Sequence, residues 1–472
     1  MTADLAFASA LEQAELVRTR VVSPLELVDL YLARIDRLNP ELNAYITVTA
    51  DLARDAARKA ERAPSDDRPP FFGVPISIKD LQATAGVRTT QGSRAFFDDV
   101  PDHDARCVSL LRQAGFIMLG KTNTPELGAG PFTEPLAFGP CLNPWDLTRT
   151  PSGSSGGAAS ALAAGLCPIA QASDAGGSIR NPAAACGLVG LKPSRGRVSN
   201  APFSNDWLST AGVLTHTVAD TAAALDILSA PVFGDPWPAA PPARAFLGEV
   251  GAATGALRIA FTSAAPYAPV VVEDPVREAV QTTARWLEAL GHEVFEQAPD
   301  WPGAELNEVM ADIAVARFAA RAPASELLEP INRMSVERAR NLSVAAYVTA
   351  VDKFQVFSRR LASIFHQCDV ALMPTTAVAR PPLSGSFQAA LAAADPRAAF
   401  AELVSYFPPP FTRPWNITGQ PAISLPLHTD ETGFPIGVQL VGRPGAEATL
   451  LRLAAQLEAA HPWRDRRPAM AA

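Results

Sequence analysis

Two serine–glycine turns hold the residues of this chain best suited to chemistry. The first reads Thr150-Pro151-Ser152-Gly153-Ser154-Ser155-Gly156-Gly157, the second Asp174-Ala175-Gly176-Gly177-Ser178-Ile179-Arg180-Asn181-Pro182. Adjacent glycines tolerate positive φ, so backbone N–H groups can converge there. Converging N–H groups bind an anion, either a phosphate or the oxyanion of an acyl-transfer intermediate. A flexible linker does not fit, because a small-residue helix, Ala158–Ala164 closed by Gly165, and an apolar strand, Cys167–Ser173, lie between the turns. Gly153 to Gly157 spells G-x-S-x-G, but a nucleophile elbow needs an apolar strand just before it, and Trp145-Asp146-Leu147-Thr148-Arg149 is not one. A Walker loop needs Gly-Lys-Ser/Thr, which neither turn supplies. The third reading is a serine hydrolase in which lysine replaces histidine as the base.

The elements that must position such a site follow from periodicity. Ser23-Pro24-Leu25-Glu26 is a capping box with proline at the first helical position, opening a helix expected to stop before Pro40. Val74, Ile76 and Ile78 alternate with Pro75, Ser77 and Lys79, the period of a strand, which points Lys79 away from the apolar face. Asp104 to Ala114 reads as a helix closed by Gly115, and Phe116–Leu119 as a strand. From Ser229 to Gly255 the chain turns Ala/Pro/Gly-rich, an excursion or crossover. Then come a strand (Leu257–Phe261), a helix (Pro275–Leu290), a strand (Glu293–Glu296), a helical region to about Phe365, strands at Val370–Met373 and Ile436–Val441, and a closing helix (Ala446–Ala459). The alternation predicts an α/β fold, a mixed sheet covered by helices on both faces.

Composition agrees. The 472 residues can bury a large core without staples. With 48% hydrophobic and 19% charged residues the chain is globular, and 43 prolines argue against a coiled coil or bundle. A net charge of −8 disfavours nucleic acid and anionic membrane as partners. Five scattered cysteines without a CxxC pair, and six histidines without i, i+4 pairing, offer neither a disulfide framework nor a metal site, and point to a reducing cytoplasm. Lys121 is expected to order a loop, Glu126 to be a buried structural carboxylate and His216 to be structural. The cysteines are expected to be inert thiols.

Several separated segments together resemble the amidase-signature family. Ser154 and Ser178 stand 24 residues apart, as the family's two catalytic serines do, and Lys79 ends a Val-Pro-Ile-Ser-Ile-Lys-Asp strand like the family's lysine. Gly187–Pro193, Asn416–Ser424 and Pro435–Gln439 match as well, and the likeness is weakest between about Ser229 and Asp369. The resemblance implies a single domain: a catalytic core over about 60–228, a variable substrate-shaping region over about 229–369, and closing strands and helix over about 370–472. It implies Ser178 as nucleophile, Ser154 as a bridging serine held by a cis peptide, and Lys79 as general base. Backbone N–H groups of Ala175, Gly176, Gly177 and Ser178 resemble the oxyanion hole, and Ser155, Asp174 and Arg180 resemble orienting residues. Ser152 departs from the family, which usually has glycine there. No metal or organic cofactor is implied. A solvated lysine is neutral only about once in 2,500 at pH 7, so the mechanism needs a pKa lowered by ~3 units, or ~4 kcal/mol, which burial could supply.

Phe132, Phe138, Phe203, Trp207, Tyr406, Phe407, Phe411 and Trp415 lie in Pro/Gly-rich or polar loops and are candidate pocket walls; Phe132, Trp207, Phe411 and Trp415 are the substrate-binding candidates. An aromatic, charge-poor set favours neutral amides with apolar acyl or aryl groups. Gly120–Glu126, Asn143-Pro144-Trp145 and Pro462–Pro468 are most similar to hydrolases of nylon-oligomer cyclic dimers, with urethane-cleaving amidases a related possibility. The alternative is a glutaminase-type subunit of a tRNA-dependent amidotransferase. A small-molecule substrate and a monomer or homodimer are expected.

Overall fold

The structure, a computed structural model, describes residues 5–63, 68–201, 207–267, 270–320, 322–323, 326–406 and 410–471, with the backbone alone at 397 and 404–406. Eleven strands form one mixed sheet: β1 (Tyr45–Val48), β2 (Pro75–Lys79), β3 (Ile117–Thr122), β4 (Ala170–Asp174), β5 (Val189–Lys192), β6 (Thr210–Thr215), β7 (Arg258–Phe261), β8 (Glu293–Glu296), β9 (Val370–Pro374), β10 (Ala422–Thr429) and β11 (Pro435–Gly442). Their order across the sheet is β1-β3-β2-β4-β6-β5-β10-β11-β9-β7-β8. β2 runs parallel to both β3 and β4, and β7 runs parallel to β8 and β9. The remaining pairs are antiparallel. The weakly matched region therefore joins the sheet through β7 and β8 at one edge, and its helices Glu305–Ala319 and Val344–Ala362 pack on each other beside it.

Two apolar layers sandwich the sheet. Ile76 and Ile78 belong to one, with β9, β10, β11 and the helices Asp274–Ala289 and Glu447–Ala460. The other is built on the helices Pro24–Leu42 and Gly156–Ala163. Every residue of Gly156–Ala163 is buried, and its one polar side chain, Ser160, donates to Leu142 O at 2.8 Å. Its small residues are a steric requirement: a Cβ on Gly157 would stand 2.4 Å from Asn123 N and 2.6 Å from Ala44 O.

Strand Glu293–Glu296 has the expected bounds, and the helices Arg106–Gln113 and Asp274–Ala289 fall within two residues of theirs. One expectation fails. The second helix does not stop before Pro40 but runs through it to Leu42, with Asn43 closing it in the left-handed region at φ 50°. Proline there forfeits only the bond to the Asp36 carbonyl, and both Asp36 and Pro40 are solvent-exposed. Water can serve that carbonyl, and only Glu41 and Leu42 follow in the helix, so the clash of the proline ring disturbs no more than its last turn.

Candidate active site

Parallel β2 and β4 end side by side, so the last residue of β2, Lys79, meets Ser173 and Asp174 at the end of β4. Lys79 is fully buried. Its Nζ donates to Ser154 Oγ at 2.7 Å, Ser155 Oγ at 2.9 Å and Ser173 Oγ at 3.2 Å. Burial pushes the ammonium down to about 7, against a smaller opposing pull from the Asp174 carboxylate. The face that alternation assigns to Lys79 is thus interior. The same pattern of Ser77 and Lys79 opposite Ile76 and Ile78 serves a sheet covered on both sides.

Ser154 follows a cis peptide at Gly153, and its carbonyl accepts from Thr124 Oγ1 at 3.0 Å. Ser152, where the family usually has glycine, takes φ 67°, a left-handed conformation that costs a side chain roughly 1–2 kcal/mol. Ser155 precedes the buried helix and donates its hydroxyl to the Ser173 carbonyl at 3.2 Å.

The second turn is organised by a buried ion pair. Asp174 Oδ1 accepts from Gly177 N at 2.7 Å, and Oδ2 from Ile179 N at 3.1 Å. Arg180 meets the same carboxylate with Nε and Nη2, both at 3.0 Å. Burial raises the Asp174 pKa, but Arg180 and Asn416 outweigh it and hold the carboxyl well below the usual range. Arg180 also donates to Thr412 O at 2.8 Å, Gln439 Oε1 at 2.7 Å and Asn416 Oδ1 at 2.7 Å. All five donors of its guanidinium are spent. Asn416 and Gln439 lie in segments that carry the resemblance, yet nothing local in the sequence assigns them this work. Gly177, at φ 125°, is fixed by contact, since a Cβ there would stand 2.3 Å from Thr412 Oγ1.

The four amides expected to form the oxyanion hole are not equivalent. Gly177 N–H is already committed to Asp174, so it is corrected from free donor to a bond that shapes the turn. Among the described residues, the N–H groups of Ala175, Gly176 and Ser178 have no protein acceptor. Ser178 is partly exposed, whereas Ser154 and Ser155 are buried. The hydrogen bond expected between Ser178 and Ser154 is not formed: among the described residues the Ser178 hydroxyl has no protein partner.

Of the candidate wall residues, Phe132, Phe411 and Trp415 pack against other aromatic rings. All three rings are buried, Phe132 stacked on Phe387 at 5.8 Å and Trp415 set edge-on to Trp301 at 6.2 Å and Phe365 at 6.1 Å. Aromatics in Pro/Gly-rich loops anchor those loops by burying their large surface. Trp207 stays partly exposed, edge-on to Phe354 and flanked by the Arg195 and Arg317 guanidiniums. Phe138 stacks on Phe97 instead. Phe203 and Phe407 lie outside the described residues, as does the Tyr406 side chain. Lys121 orders a loop, donating to Gln82 O and Thr89 Oγ1, both at 2.7 Å, and Glu126 is buried, accepting from Ser93, Glu329 N and Asn332.

The amidase family profile matches residues 26–451. This chain belongs to the amidase-signature family. It is 36% identical to the 6-aminohexanoate-cyclic-dimer hydrolase of Paenarthrobacter ureafaciens, covering 97% of this chain and 96% of the relative. A solved 6-aminohexanoate cyclic dimer hydrolase with its substrate superimposes with a TM-score of 0.91 at 34% identity, covering 99% of this amidase and 100% of the other chain. A bacterial aryl acylamidase superimposes with a TM-score of 0.88 at 25% identity, covering 97% of both. The amidase is accordingly a serine hydrolase acting on amides. No helix among its described residues is long and apolar enough to cross a membrane, and no group of His, Cys, Asp and Glu among them could hold a metal.

Proposed function

We propose that this amidase cleaves C–N bonds of amides with an apolar acyl or aryl portion, and carbamates through the same tetrahedral intermediate, by a Lys79–Ser154–Ser178 relay. The observation that carries the reading is a buried lysine, held near neutrality, bound to Ser154 at 2.7 Å. Neutral Lys79 takes the Ser154 proton as Ser154 takes that of Ser178. Ser178 Oγ attacks the carbonyl carbon, and the oxyanion is met by the uncommitted amides of Ala175, Gly176 and Ser178. The relay reverses, the C–N bond breaks and the amine leaves with the proton. Water then repeats the cycle on the acyl-enzyme. The relay requires Ser178 Oγ to come within hydrogen-bond reach of Ser154 Oγ, directly or through one water, contacts that tighten when substrate binds.

Exposure supports Ser178 as the nucleophile, because Ser155 is buried with its hydroxyl committed to Ser173. The relatives named for a cyclic amide and for aryl acylamides support the substrate class. The test is labelling by a fluorophosphonate with peptide mapping, alongside kcat/KM on a nitroanilide, a nitrophenyl carbamate and glutamine. Label on Ser178, its loss with all turnover in Ser178→Ala, and glutamine as the poorest substrate are expected. Label on another serine overturns the assignment, and a tenfold preference for glutamine, about 1.4 kcal/mol in transition-state binding, replaces the reading with the glutaminase one.

A further inference from the structure

Two arginines flank the turn 175–179, and they are held in opposite ways. Arg180 spends every donor inside the protein. Arg413 opens the short helix Arg413–Thr418 and lies partly buried beside the turn, where a methyl group on Gly176 would stand 3.8 Å from its Nε. Its one hydrogen bond among the described residues runs from Nη1 to Asn307 Oδ1 and is long, at 3.4 Å. No Asp or Glu among the described residues pairs with it, and its titratable neighbour is the Tyr267 phenol. Burial opposes its charge, with only that phenol favouring it. A guanidinium is charged at any physiological pH, and desolvating it without an acceptor set is costly. Yet among the described residues four of its five donors lack a protein acceptor, beside the turn that holds the nucleophile. Asn307, its hydrogen-bond partner, and Tyr267, its titratable neighbour, both come from the region where the family resemblance is weakest, which is the region expected to shape the substrate.

We propose that Arg413 is a specificity-determining residue that binds a carboxylate carried by the amide substrate a few bonds from its scissile carbonyl. The proposal rests on the reaction given above and sharpens its substrate class to apolar amides bearing one carboxylate. Guanidinium and carboxylate match as a two-pronged, charge-assisted pair. A wholly neutral amide leaves those donors unmatched. An amino acid such as glutamine satisfies them but adds an ammonium, to which Asn307 and Tyr267 offer no carboxylate.

Glutaryl 4-nitroanilide and pentanoyl 4-nitroanilide differ in a carboxylate against a methyl group. The wild-type enzyme is expected to favour the glutaryl compound by about tenfold or more in kcat/KM, the scale of a hydrogen-bonded charge pair. Arg413→Met should abolish that ratio and Arg413→Lys should keep part of it. In the Ser178→Ala background, where no turnover interferes, calorimetry should show the glutaryl compound binding about tenfold more weakly once Arg413→Met is added. A wild-type enzyme indifferent to the carboxylate, or an Arg413→Met enzyme that keeps the preference, overturns the proposal while leaving the amidase reaction intact. Arg413-dependent binding without turnover by the wild type supports the carboxylate site and overturns the catalytic reading instead.

Discussion

Replacing Lys79 by methionine should destroy activity and stabilise the protein, and both effects can be sized. The lysine sits fully buried near pKa 7, against an ordinary 10.5 when the chain unfolds. Its folded pKa is depressed, so between those values the unfolded state binds the extra proton and stability rises with pH. At pH 7 the penalty for holding this side chain in the fold, relative to pH above 10.5, is about 4 kcal/mol. Methionine fills similar volume without it. Three serine hydroxyls lose a partner in exchange, which returns roughly 1–3 kcal/mol, so a net gain on the order of 1–3 kcal/mol at pH 7 is expected. Lys121 and Lys192 are also buried, pushed down to about 8 and about 7, so the wild-type pH–stability curve mixes several groups. Urea unfolding of both proteins from pH 6 to pH 9 isolates Lys79 as the difference. That difference should shrink as pH rises from 7. In parallel, wild-type kcat/KM should climb about tenfold per unit below pH 7 and level off above it, since only neutral Lys79 accepts a proton. A variant no more stable than wild type, or a wild-type profile flat from pH 5 to pH 8, refutes a buried lysine base.

Two further outcomes follow from the geometry. All five cysteines are buried and their thiols are pushed up, Cys107 and Cys141 to about 12 and Cys167 and Cys368 to about 11, so N-ethylmaleimide should leave the folded enzyme's activity unchanged over an hour; rapid inactivation would reveal an accessible thiolate. Gly177→Ala should cost 2 kcal/mol or more in thermal unfolding and most of the activity, because the new methyl group meets Thr412 and Asn181 and disturbs the bond from residue 177 to Asp174; normal activity in this variant would show that the turn is looser than its contacts indicate.

Short-range signals in this chain pick out the candidate reacting residues and miss several of those that hold their turns. The strand period around Ile76 and Ile78 places Lys79 correctly on the opposite face, but no pattern of two says whether that face meets water or a second layer. The helix Gly156–Ala163 decides that, because its small residues let it press onto the sheet. β1, four residues long, has too little alternation to be read, and it forms by pairing with β3. The turn that carries Ser178 is the clearest case. Its glycines and its aspartate are visible in sequence, yet its shape depends on Thr412, Asn416 and Gln439, which reach Arg180 across 232, 236 and 259 residues. No window on the sequence spans that distance. The same limit separates Arg180 from Arg413: only the folded chain shows that one guanidinium is filled by protein acceptors while the other, beside the turn, has among the described residues a single acceptor, Asn307 Oδ1.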